Sequence, residues 1–180
     1  GNIKVAGAVD TTASSGGAIR IDVYNPMSGT AAGSIDVGSL TGTGGTRTTN
    51  AGTGNITLNG DMTSVNADVS VVAVGGNVLG DANINAGTIL DVRAYNGTIA
   101  VGDLESGTLA GSTVTYTNVQ ASGKITACNI RATGDYVSVA STNGVLDLGI
   151  HRSIDAGRHA DVTLDTGVAC TVGMSMCRED

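Results

Sequence analysis

Tryptophan and phenylalanine are absent from this sequence, proline occurs once, and aromatic residues make up only 2 % of it. A chain so poor in rings lacks the stacking platforms that hold single-stranded nucleic acid. Positive charge is scarce as well: 9 Lys and Arg stand against 16 Asp and Glu, a net charge of −7. Nucleic-acid backbones are held by basic patches, so nucleic acid is excluded as a partner on both counts, and the acidic balance suits a protein that attracts cations. No apolar run reaches the roughly 18 residues of a membrane span, which argues against membrane insertion. No signal peptide is visible. The chain starts at Gly1 rather than Met, which reads as a processed product or a fragment, so a missing leader carries no information. Helical periodicity is missing too: no window places apolar residues at i, i+3, i+4 and i+7 over three turns. The signatures GxSxG, P-loop and HExxH do not occur.

Cysteine is sparse: Cys128, Cys170 and Cys177, with no CxxC pair. Zinc takes about four ligands, and three scattered Cys with two His make no recognisable set. Cys170 and Cys177 can close a small loop as a disulfide, with Cys128 free or buried. An odd count also permits an intermolecular bridge. Equally, all three can stand as unpaired thiols, with Cys128 packed as a small hydrophobe.

What the sequence does contain is glycine and strand-forming residues. There are 28 Gly in 180 residues, about twice the average usage of roughly 7 %. Hydrophobic residues still reach 41 %, so the chain is not a disordered low-complexity tract. They are mostly Val, Ile, Leu and Ala, and together with Thr they favour strands that Gly punctuates.

These residues recur. An Asn precedes an apolar alternation at Asn25, Asn50, Asn96, Asn118 and Asn143, with Gly75 and Thr166 filling the gaps, at steps of 21 to 25 residues. After it come Ile35/Val37, Ile56/Leu58, Val78, Ile99/Val101, Ile125/Ala127, Leu146/Leu148 and Val172/Met174, with Ile3/Val5 as an extra copy. Before it come Ile19/Ile21/Val23, Val69/Val71, Val92/Ala94, Val114/Tyr116, Val137/Val139 and Val162/Leu164. Val65, Leu109 and Ile154 make a weaker fourth column. A period in this range with three short strands per repeat is a solenoid signature. Leucine-rich repeats require a consensus absent here, and helical repeats require helices. The expected fold is therefore all-β, a right-handed parallel β-helix (β-solenoid) of about seven rungs of three short strands, forming a single domain over residues 1–180. At a strand spacing of roughly 4.8 Å the rod is on the order of 35 Å long. A narrow coil is filled by Val, Ile, Leu and Ala, which explains the missing large rings. Gly and Asn mark corners where φ turns positive. The five Asn are expected to stack as an amide ladder, each amide offering both donor and acceptor.

The phrases "GNITLNGDM", "GGNVLGDANINAGT", "GTIAVGDL", "SGKITACNIRATGD" and "GSIDVGSLTGT" resemble the β-strand repeats of bacterial surface and secreted proteins of the filamentous-haemagglutinin and autotransporter-passenger group. The resemblance covers nearly the whole chain and is one of architecture. It implies right-handed β-helical stalks, extracellular or cell-surface placement, and roles in adhesion or filament structure. It supplies no catalytic residues, and the three Cys depart from it.

Three constellations are candidates for chemistry. "HRSIDAGRH" brings together His151, Arg152, Arg158 and His159 in a late corner, His151 to Ala160, and is the one basic concentration in an acidic chain. It suits a sulfated or carboxylated glycan or an acidic neighbour; a solvated corner loop is the plainer reading. Gly60-Asp61, Gly80-Asp81 and Gly102-Asp103 form a second set. If Asp61, Asp81 and Asp103 stack, their charges repel at one strand spacing, and calcium, which takes six to eight oxygens, would relieve this; ordinary Gly-Asp turns are the plainer reading. A glycoside hydrolase or lyase groove needs two carboxyls roughly 5 to 9.5 Å apart. Asp135, Asp147, Asp155 and Asp165 with Arg152 or Arg158 supply no such pair with a basic partner on one strand face. Thr113, Thr115 and Thr117 make a threonine row one strand deep, too little for an ice-binding array. The sequence thus reads as a structural stalk or filament segment, not an enzyme, stacking end to end on itself and adhesive toward host or matrix glycan. Corners at Thr41 to Thr53 and His151 to Ala160 are expected to carry recognition. A glycan- or cation-binding module is the alternative.

Overall fold

The computed structural model describes residues 2–14, 16–23, 33–50, 52–112, 114–134, 136–147, 154–156 and 161–166. Every element in it is a strand, and no helix among the described residues is long and apolar enough to cross a membrane. The strands form three parallel sheets of seven. Sheet A holds β1 (Ile3–Val5), β4 (Ile35–Val37), β7 (Ile56–Leu58), β10 (Val78–Leu79), β13 (Ile99–Ala100), β16 (Ile125–Thr126) and β19 (Leu146–Asp147). Sheet B holds β2 (Val9–Asp10), β5 (Leu40–Gly42), β8 (Met62–Ser64), β11 (Ile84–Ala86), β14 (Leu104–Ser106), β17 (Ile130–Ala132) and β20 (Ile154–Ala156). Sheet C holds β3 (Ile19–Val23), β6 (Thr46–Asn50), β9 (Val69–Ala73), β12 (Ile89–Ala94), β15 (Tyr116–Ala121), β18 (Tyr136–Ser141) and β21 (Asp161–Thr166). The chain visits A, B and C in turn, and each strand pairs with the strand one turn away. This is a parallel β-solenoid. Five turns, from β4 to β18, are flanked by a turn on both sides, so the expected seven rungs approximate about five enclosed turns and two outer ones.

Registers show why these residues form these strands. Ile35, Ile56, Val78, Ile99 and Ile125 occupy one row of sheet A, and Leu40, Met62, Ile84, Leu104 and Ile130 one row of sheet B. All are buried. In sheet C, Val71, Val92, Val119 and Val139 share a row, and Ala73, Ala94 and Ala121 another. Alternate residues point outward, giving the buried–half-buried alternation of most strands. Burying a Val, Leu or Ile side chain is worth about 1.5–3 kcal/mol. A slip by one residue would turn the whole apolar set outward, so the stripe itself holds the register.

The register corrects two expectations. The stretches expected as corner loops contain strands: Thr41 to Thr53 holds the end of β5 and all of β6, and His151 to Ala160 holds β20. The alternation Val114/Tyr116 does not face the core. Val114 is 56 % exposed, Tyr116 points outward, and Thr115 and Thr117 are the buried residues. Thr115 and Thr117 of the threonine row are therefore interior, with Thr117 Oγ1 donating to the Arg131 carbonyl at 2.8 Å, and Thr113 lies outside the described residues.

Among the described residues the predicted amide ladder does not form, for the same reason. Asn50 shares its row with Ala73, and Asn118 with Asp91 and Ser138. Asn96 and Asn143 are exposed corner residues, and Asn25 lies outside the described residues. Side-chain ladders do form, one residue before a strand. Asn77 donates its backbone N–H and Nδ2 to Asn55 Oδ1 at 3.0 and 3.1 Å. Thr98 donates its N–H and hydroxyl to Asn77 Oδ1 at 2.8 and 3.1 Å. Each oxygen satisfies a corner N–H that would otherwise lack a partner.

Among the described residues one interior hydroxyl has no partner. Thr48 is fully buried between Ile21 and Val71 of the neighbouring turns, and its Oγ1 accepts and donates nothing. Thr48→Val keeps the shape and removes the desolvated hydroxyl, so it is expected to stabilise the fold by about 1 kcal/mol. A rise in urea midpoint at unchanged slope would verify it; an unchanged or lower midpoint would mean the hydroxyl is satisfied in solution.

Candidate functional site on the outer face of sheet C

Sheet C has strands of five or six residues, whereas those of sheets A and B have two or three. Its outer face has the longest strands and carries Tyr116 and Tyr136 where β15 and β18 begin, with Tyr95 at the opposite end, just after β12. Arg93, near the end of β12, and Tyr95, one residue past its end, lie side by side. Arg93 Nε donates to Asp91 Oδ1 at 2.7 Å, and Arg93 Nη1 donates to the Tyr95 hydroxyl at 2.9 Å. From the next strand, Asn118 Nδ2 donates to the same Asp91 oxygen at 2.6 Å. The hydrogen bond to Tyr95, then that to Asp91, raises the Arg93 pKa further above its ordinary range, so the guanidinium is a permanent cation. Tyr116 and Tyr136 stack with centroids 5.0 Å apart and planes 4° apart. Tyr95 and Tyr136 are 44 % and 42 % exposed. Such a face offers rings, a fixed cation and amide groups to a ligand lying along the rod.

The Tyr116 hydroxyl is held above the usual phenol range, first by burial, then by Tyr136 and the Asp91 and Asp68 carboxylates, with Arg93 opposing. In the unfolded chain the phenol loses its proton at the ordinary value near 10.0. Above that pH the unfolded state therefore holds fewer protons than the native state, and stability falls as pH rises through the native value. Urea midpoints of wild type and Tyr116→Phe are expected to diverge above about pH 10, with the wild type falling more steeply. Parallel curves would show that Tyr116 titrates alike in both states.

The other candidate residues are placed as follows. Asp61 and Asp103 belong to one corner row, but Asn83 lies between them: Asn83 N–H donates to Asp61 Oδ1 at 2.9 Å, Asp103 N–H to Asn83 Oδ1 at 2.9 Å, and Asn129 N–H to Asp103 Oδ1 at 3.0 Å. The alternation of acid and amide spaces the carboxylates two turns apart, roughly 9–10 Å. Asp81 is exposed and outside this row; the corner from β10 to β11 carries one residue more than that from β13 to β14. Asp61 and Asp81 instead line a half-open cleft of about 330 Å³ with Asn59. Among the described residues no group of three His, Cys, Asp or Glu gathers at metal-binding reach. His151, Arg152, Arg158 and His159 lie outside the described residues, as do Cys170 and Cys177. Cys128 is a half-buried free thiol. Of the carboxylates considered for hydrolysis, Asp147 pairs with Lys124 at 2.6 Å and Asp155 with Arg131 at 3.5 Å, on different sheets.

The sheet C face escapes sequence reasoning because polarity places Val114/Tyr116 in the inward column. A signal is nonetheless present: Tyr116 and Tyr136 stand in like positions before "TNVQA" and "VSVAS". Comparison with family models, curated proteins and solved structures returns no match.

Proposed function

We propose that the chain is a structural rod segment of an extracellular surface protein, of the bacterial stalk or filament type, that extends end to end. One observation carries this reading. Burial grades along the axis: inward side chains of the middle turns are fully covered, while Ile3, Val5 and Val9 at the β1–β2 end are only partly buried. There, among the described residues, β1, β2 and β3 pair on one side only. Unpaired edges over partly covered apolar residues accept a further turn. A contact of this kind between copies is heterologous and does not close, so it yields filaments. The chain then acts mechanically, through strand pairing continuous along the axis, and no catalysis is assigned to it.

Negative-stain electron microscopy across a concentration series, with and without reductant, tests this. Fibres are expected that lengthen with concentration and are lost in Val5→Lys, which puts a charge at the stacking face. Fibres dissolved by reductant would add an intersubunit disulfide. Short isolated rods at every concentration would overturn self-assembly.

A second reading, adhesion to polysaccharide, is favoured by the half-exposed rings of Tyr95 and Tyr136 at opposite ends of the sheet C face, with Arg93 and Asn118 on the strands between them. Co-sedimentation with insoluble neutral and acidic polysaccharides is expected to weaken in the Tyr95→Ala, Tyr136→Ala double variant; equal sedimentation of both proteins would reject it.

A further inference from the structure

Tyr116 opens β15 and Tyr136 opens β18, and the two are register partners on adjacent turns. In-register parallel pairing holds their backbones about 4.8 Å apart, and their rings stack at 5.0 Å with planes 4° apart. Tyr136 is 42 % exposed and Tyr116 half-buried. Among the described residues no hydrogen bond to either hydroxyl anchors its ring, whereas the Tyr95 hydroxyl accepts one from Arg93. Tyr95 also has no aromatic register partner: the residues following Ala73 and Ala121 on the flanking strands are Val74 and Ser122. Only one tyrosine pair among the described residues is thus stacked ring on ring with an exposed edge.

We propose that Tyr116 and Tyr136 form an oxidative modification site, joined by a carbon–carbon dityrosine bond that staples two successive turns. The oxidant is a peroxide acting through a one-electron oxidase of the peroxidase class. Each phenol gives up one electron and one proton and becomes a phenoxyl radical. The two radicals couple ortho carbon to ortho carbon, and each of those carbons passes its hydrogen to its own phenol oxygen as the ring regains aromaticity. Two phenols and one hydrogen peroxide thereby yield one biphenol and two waters. The exposed Tyr136 ring swings edge-on to reach its partner, while the sheet keeps the two backbones together. The staple ties β15 to β18 across the loop containing β16 and β17, so those turns can no longer separate in the unfolded chain. This inference does not depend on end-to-end assembly.

The test uses the full chain with cysteines alkylated, treated with peroxidase and hydrogen peroxide at low protein concentration. The expected product runs as a monomer, fluoresces as dityrosine, and has lost two hydrogens. Trypsin, cutting after Arg93, Lys124, Arg131 and Arg152, should give a linked pair of peptides, 94–124 with 132–152. Fluorescence of the monomer should fall to background in Tyr116→Phe and in Tyr136→Phe and persist in Tyr95→Phe. Both Phe variants keep the ring, and circular dichroism checks that they fold. A monomer that does not fluoresce, a linked peptide that survives in Tyr116→Phe, or a product found only as dimers would each overturn the proposal.

Discussion

Gly80→Ala is expected to cost about 4 kcal/mol of stability, through backbone strain and overpacking together. Gly80 follows β10 at φ +133°, a conformation L side chains rarely adopt. A Cβ at this position would overlap the Leu58 carbonyl oxygen and lie 2.9 Å from its carbon. These are backbone atoms of β7 in the turn below, so no side chain can swing aside. The clash must open the seam between two turns in the middle of the rod. In a solenoid, where each turn contacts only its neighbours, such a seam divides the molecule into two weaker halves. Gly111 supplies the control: its φ is +82°, but a Cβ there would meet nothing within 4 Å. Gly111→Ala should therefore cost only about 1 kcal/mol, the conformational share alone. Urea unfolding of both variants separates the two effects. Equal losses would mean that the close approach of the turns at Gly80 relaxes freely.

Asn50→Ala is expected to lose about 3 kcal/mol, because one buried amide satisfies several backbone groups at once. Asn50 is the last residue of β6 and fully buried. Its Nδ2 donates to the carbonyls of Gly33 at 2.7 Å, Gly54 at 2.9 Å and Asn55 at 3.3 Å, and its Oδ1 accepts the Gly52 N–H at 2.9 Å. Removal strips the Gly33 and Gly54 carbonyls and the Gly52 N–H of this partner, while the Asn55 carbonyl keeps the Ile35 N–H at 2.9 Å. Asn50→Leu should be no better than Ala, although the rows above it are filled by Ala73 and Ala94. The contrast with Thr48, two residues earlier on the same strand, is the sharper check. There the polar atom serves nothing and its removal stabilises; at Asn50 it serves four backbone groups and its removal destabilises. Opposite shifts in urea midpoint are expected from neighbouring inward positions. A gain in stability at Asn50 would show that water replaces the amide at this corner.

Rows of Val, Ile and Leu recurring every 21 to 25 residues are legible without a structure, because alternation is local and stacking demands like volumes at like places. Sheet A is legible nearly whole on that basis: Ile35, Ile56, Val78, Ile99 and Ile125 do share a row. Sheet B is poorly legible. Its strands are three residues or fewer, and its inward residues mix Leu40, Met62 and Ile84 with Ser64 and Ser106, so Val65 and Leu109 draw the eye in their place. Sheet C is legible in part. Thr115 and Thr117 face the core while Val114 and Tyr116 face out, against what polarity alone suggests. Over four residues the two alternations differ by a single step, which only pairing with Leu90 and Val137 resolves.

By itself, then, the sequence determined the class of fold: glycine corners, strand-forming residues and a repeated volume in each turn leave a β-solenoid as the arrangement that buries the apolar stripes. Tertiary structure alone decided the register, and the register decided everything lateral. It replaced a single asparagine column with mixed Asn–Thr and Asp–Asn ladders, separated Asp61 from Asp103 by Asn83, and brought Tyr116 onto Tyr136. The physical reason is that axial neighbours lie some twenty residues apart in the chain, and corners absorb one residue more or fewer from turn to turn. Hydrogen bonding between turns, not spacing along the chain, selects which side chains meet.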